Sequence, residues 1–77
     1  MIFEEFLNIS IERKELNSII DFNDFYIIRD TGYKLYIQAE NIIILEYELS
    51  SNYNEIIITN IFYSTTYDNN NIYYLNR

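Results

Sequence analysis

Phe25-Tyr26-Ile27-Ile28-Arg29-Asp30-Thr31-Gly32-Tyr33-Lys34-Leu35-Tyr36-Ile37-Gln38 decides the fold of this chain. Two runs rich in β-branched and aromatic residues, 25–29 and 33–38, flank Asp30-Thr31-Gly32. The only glycine of the sequence thus stands where a hairpin needs positive φ. Strand residues alternate between faces, so Tyr33, Leu35 and Ile37 share one side, and Lys34, Tyr36 and Gln38 the other. The first side is the expected core side. It takes Tyr33 inward and leaves Tyr36 outside.

Downstream, Ala39-Glu40-Asn41 turns the chain again. Ile43, Leu45, Tyr47 and Leu49 then alternate with Ile42, Ile44, Glu46 and Glu48, which predicts a third strand with Tyr47 in the core and the two glutamates together on the solvent side. Ser50-Ser51-Asn52-Tyr53-Asn54 has loop composition, residues 55–63 form a fourth predicted strand, and 65–71 a polar loop. Ile72-Tyr73-Tyr74-Leu75 adds a short edge strand. Successive strands joined by short turns pair as an antiparallel meander.

Upstream, apolar residues at 2, 3, 6, 7 and at 16, 19, 20 follow helical spacing, and Glu12-Arg13-Lys14-Glu15 has the composition of a solvated helix turn. Leu7, Ile9 and Ile11 instead alternate with Asn8, Ser10 and Glu12 at strand spacing. One helix over 3–20 would put Arg13 in the middle of its apolar face. The expected fold is therefore α+β in a single small domain, 1–77. Its N-terminal helical segment, one broken helix or two short ones, packs on a four- to five-stranded antiparallel β-meander. A strand over 6–12 followed by a helix over 13–21 is the alternative.

Composition excludes most chemistry. With no His and no Cys, the usual base near neutral pH, thiol nucleophiles, disulfides and the usual transition-metal ligands are all missing. One glycine cannot build a phosphate-binding loop. Asp-Thr-Gly is the catalytic triplet of aspartic proteases, but here Arg29 precedes it, Tyr33 follows it and no second glycine braces it. A neighbouring arginine also favours an ionised Asp30 over a shared-proton dyad. A turn in which Asp30 caps its own backbone is the expectation. Asp68-Asn69-Asn70-Asn71 lacks the spaced acids of a calcium loop. No catalytic residue, cofactor or metal site is expected, and the chain is expected not to be an enzyme.

The charge is the informative feature. Twelve acidic residues face five basic ones, for a net charge of −7. Ile, Asn, Tyr and Phe, which dominate the chain, have AT-rich codons; lysine's codons are AT-rich too, yet only Lys14 and Lys34 occur. The negative balance is thus more readily explained by selection than by base composition. It disfavours direct contact with nucleic acid or anionic membrane, which needs Lys and Arg to displace counterions. It favours a basic protein partner.

The longest apolar run, Ile42-Ile43-Ile44-Leu45, is far short of a membrane span. Acids follow Met1 where a secretory leader carries positive charge, so a cytoplasmic location in a bacterial or archaeal host is expected. The expected function is inhibition of a basic nucleic-acid-handling protein by occupying its surface, as anti-CRISPR proteins of phages and mobile elements do. An immunity protein or antitoxin against a nuclease toxin is one alternative. A homodimer or assembly subunit joined through a free sheet edge is the other. Glu46 and Glu48 lead the expected contact residues, with Tyr36, Glu40, Glu55, Tyr67 and Asp68 beside them.

Overall fold

The structure, a computed structural model, describes residues 2–52 and 54–65. It begins with a 3₁₀ turn (Ile2–Phe6), then β1 (Ser10–Glu12), α1 (Arg13–Phe22), β2 (Tyr26–Asp30), β3 (Lys34–Gln38), β4 (Ile42–Leu49) and β5 (Glu55–Ser64). The strands form one sheet in the order β1-β5-β4-β3-β2, and every pairing is antiparallel. The α+β meander is therefore present. Its N-terminal part differs from the expected helical segment of one broken helix or two short ones: it is one 3₁₀ turn and one helix, separated by a strand. Ile11 explains the difference. It is buried opposite Ile56 of β5, and a helix through 10–12 would leave that sheet edge unpaired. The alternative of a strand before a helix at residue 13 comes closer. The fifth strand is β1; residues 72–75, expected as an edge strand, lie outside the described residues.

Because β1 and β2 occupy opposite edges, the connection between them, α1, must cross one face of the sheet. Leu16 and Ile20 of α1, with Phe3 of the 3₁₀ turn, bury against Ile11, Leu35, Ile37, Ile43, Leu45, Tyr47, Ile56 and Ile58. Packing is what makes this helix stable. It has ten residues, close to or below the length at which a free helix holds in water. Its termini gain little from the macrodipole: Arg13 and Lys14 in the first turn offset Glu12 and Glu15, and the last turn carries Asp21 and no basic residue. Burying Leu16 and Ile20 contributes about 1.5–3 kcal/mol each.

The helix stops without a glycine. Asp24 takes φ 59°, its N–H donates to the Asp21 carbonyl, and the Phe25 N–H donates to the Ile20 carbonyl. That is a Schellman motif, in which a short polar residue replaces glycine in the left-handed conformation. It turns the chain sharply enough for Phe25 to return to the core beside Phe3, at 6.3 Å between ring centroids.

A second apolar cluster, Tyr36, Ile42 and Ile44 with Ile28 and Phe62, lies on the sheet face away from α1. Tyr36 is only 2% exposed, which corrects its expected place on an open polar face. The alternation was right, and the surroundings were not: Ile44 pairs directly with Tyr36, and Ile28, displaced at the bulge between Ile27 and Arg29, packs against the same cluster. Tyr33 errs in the opposite sense, being 60% exposed, since β3 begins only at Lys34 and Tyr33 belongs to the turn. Tyr47 is buried as expected. Among the described residues no helix is long and apolar enough to cross a membrane.

Candidate functional site

The alternation of β4 carries Glu46 and Glu48 to the face away from the helix, as the sequence pattern predicts, and register does the rest. Glu48 pairs with Ile57, which pairs on its other side with Ser10. Glu55, two residues before Ile57, pairs with Glu12 of β1. Glu48, Glu55 and Glu12 thus gather on one face at one end of the sheet. Directly opposed strand residues hold their Cβ atoms about 4.5–5.5 Å apart and diagonal neighbours stand at about 7–8 Å.

The expected pair divides. Glu46 is half-buried and engaged: Lys34 Nζ lies 3.6 Å from its Oε2, and Asn60 Nδ2 donates to Oε1 at 3.0 Å. The register shift after Glu46 leaves Thr59 with no residue directly opposite it, its hydroxyl donating to the Glu46 carbonyl at 3.4 Å, and brings Asn60 opposite Glu46. Glu48 is exposed, and neither its side chain nor that of Glu12 has a hydrogen-bond or ion-pair partner among the described residues. Glu55 accepts one hydrogen bond, from Ser10 Oγ at 2.7 Å.

The sequence pattern does not single out Glu12, because Glu12-Arg13-Lys14-Glu15 has the composition of a solvated helix turn. It is the N-cap of α1, with extended backbone and no capping hydrogen bond from its side chain. Ser, Thr, Asp and Asn are favoured at that position. Facing Glu55 across the strand pair, it also makes a like-charge contact of the kind that destabilises sheets. Two local preferences are overridden at one residue. The remaining expected contact residues scatter: Glu40 lies in the β3–β4 turn at the far end of the sheet, Tyr36 is buried, and Tyr67 and Asp68 lie outside the described residues.

Asp30-Thr31-Gly32 is the hairpin turn. Asp30 Oδ1 accepts the Gly32 N–H at 2.9 Å, and Gly32 has φ +96°. The same carboxylate accepts the Tyr47 hydroxyl at 2.7 Å and pairs with Arg13 Nη2 at 3.0 Å. Burial raises the Asp30 pKa, but the bonds from Tyr47, Gly32 and Arg13 outweigh it and hold the group below its ordinary 3.8. So held, the carboxylate is a structural acceptor that clamps the start of α1 to two strands. Among the described residues, no three carboxylates converge to hold a metal ion.

Comparison with protein-family models, with curated proteins and with solved structures found no match for this chain.

Proposed function

We propose that this chain is a small acidic binding protein that inhibits a basic, nucleic-acid-handling protein by covering its surface, with Glu12, Glu48 and Glu55 at the centre of the contact. One observation carries the proposal. Glu12 keeps a carboxylate where a helix cap and an opposing glutamate both disfavour it. Local rules are broken most often where function needs them broken. Glutamates whose Cβ atoms stand roughly 5–8 Å apart on a sheet face offer repeated negative charge to Arg and Lys side chains arranged for phosphate. No turnover is required of such a protein, and inhibition of the anti-CRISPR type is its most concrete form.

The test is affinity capture from the native host with the wild-type chain and with Glu48→Lys. Recovery of a nucleic-acid enzyme by the wild type alone supports the proposal. Equal recovery by both chains, or a partner without a basic surface, overturns it.

A second function is favoured by a different observation. Phe22, the last residue of α1, is 88% exposed, and Tyr26, the first residue of β2, is 61% exposed; β2 is an edge strand of the sheet among the described residues. Apolar side chains next to an unpaired edge suit association with a second copy. Sedimentation equilibrium separates the two: a monomer removes the assembly function, and a dimer lost on Phe22→Ser supports it.

A further inference from the structure

At the other end of the sheet a cleft of about 240 Å³ opens between the start of β2 and the β3–β4 turn, lined by Phe25, Ala39, Glu40, Asn41, Ile43 and Tyr63. Carbon dominates its walls. Phe25, Ala39 and Tyr63 are half-buried members of the main core, and Ile43 is buried within it. Glu40 is exposed and contributes the carboxylate of the lining. A second carboxylate lies close by, since Tyr63 donates its hydroxyl to Glu4 Oε2 at 3.2 Å. The turn that shapes the opening is braced by Ala39 N–H donating to the Asn41 carbonyl at 3.0 Å and Gln38 Nε2 donating to the Ala39 carbonyl at 2.8 Å.

Size and charge together select the occupant. The volume is below the roughly 300–1,000 Å³ of sites that enclose a whole small molecule, so one side chain fits better than a metabolite. An acidic occupant meets Glu40 and a chain of net charge −7. A neutral apolar one gains nothing from the carboxylate. A lysine or arginine uses both parts, laying its methylene stem on Ile43 and Ala39 with its cation at Glu40 and near the rings of Phe25 and Tyr63.

We propose that this cleft receives a single lysine or arginine side chain from a protein partner. The identity of that partner as a basic protein rests on the function proposed above, while the cleft itself rests on its own geometry. The two sites lie at opposite ends and on opposite faces of the sheet, so each can be tested without the other.

The experiment is a titration of the ¹⁵N-labelled protein with N-acetyl-lysine methylamide, with N-acetyl-norleucine methylamide as the neutral probe of similar stem, at constant ionic strength. The expected result is saturable shifts of the Phe25, Ala39, Glu40, Asn41 and Tyr63 amides with the lysine probe. Glu40→Gln should weaken binding by about threefold, the size of one exposed ion pair, and Ala39→Leu should abolish it by filling the cleft. Three results overturn the proposal: no saturable shift at these amides, norleucine binding as well as lysine, or binding unchanged by Glu40→Gln. The last two decide the matter even if Ala39→Leu fails to fold. Loss of partner capture on Glu48→Lys bears only on the acidic cluster, so the two failures remain distinguishable.

Discussion

The Tyr47 hydroxyl donates a 2.7 Å hydrogen bond to Asp30 Oδ1, joining the middle of β4 to the end of β2. Arg13 closes the same knot, with its guanidinium 3.0 Å from Asp30 Oδ2 and 5.9 Å from the centre of the Tyr47 ring. Three elements far apart in sequence meet at one carboxylate. Tyr47→Phe removes a single neutral donor and should cost about 1 kcal/mol. Asp30→Ala leaves Tyr47, Arg13 and the Gly32 N–H without their acceptor and should cost on the order of 2–3 kcal/mol. Urea denaturation of both variants checks the order of the two losses.

That knot also sets the response to pH. Asp30 titrates below 3.8 in the folded protein, so its contribution is full above 3.8 and is lost as pH falls through the folded value. Tyr47 and Tyr63 behave in the opposite sense. Burial raises both above 10.0, helped by the Asp30 and Glu4 anions respectively, so their contribution is full below 10.0 and is lost as pH rises through the folded values. Urea midpoints should fall on both flanks. Asp30→Asn should flatten the acid flank, and an unchanged acid flank in that variant would remove Asp30 as its cause.

Glu12→Ser should stabilise the fold while weakening its proposed association. Serine at this N-cap, with Glu15 three residues later, completes a capping box and ends the opposition to Glu55. The expected gain is on the order of 1 kcal/mol after the loss of an anion near the helix N-terminus. Thermal unfolding and partner affinity are measured together. A stability gain with undiminished affinity would show that the charge at Glu12 serves no contact.

Glu48→Lys and Tyr36→Ala should separate binding from folding. Glu48 is exposed and its side chain is without a partner among the described residues, so its reversal should shift stability by no more than about 0.5 kcal/mol. Its effect on association should be larger at low salt than at high salt. Tyr36 is buried with Ile42 and Ile44, and its truncation should cost on the order of 3 kcal/mol. Circular dichroism melts and salt-dependent binding distinguish the two outcomes.

Gly32→Ala isolates a backbone effect. An added Cβ meets nothing within 4 Å, so crowding has no part. The left-handed φ of +96° alone should cost on the order of 1 kcal/mol, with the hairpin register retained. A loss several times larger, measured in urea, would mean that the turn itself rearranges.

The sequence by itself determined the four-stranded meander, the glycine hairpin and the shared face of Glu46 and Glu48, because strand alternation and turn chemistry are local properties. Local spacing could not say whether 10–12 was helix or strand, since the partner that settles it, Ile56, lies some forty residues away. Which tyrosines are buried was equally illegible. Tyr36 and Tyr33 exchanged their expected environments because one pairs with Ile44 while the other falls one residue before its strand begins. The acidic cluster is wholly a product of register. Nothing near Glu12 marks it as the neighbour of Glu55, and only the pairing of β1 with β5 brings their like charges together. Local periodicity places a side chain on a face; long-range strand pairing decides what shares that face with it.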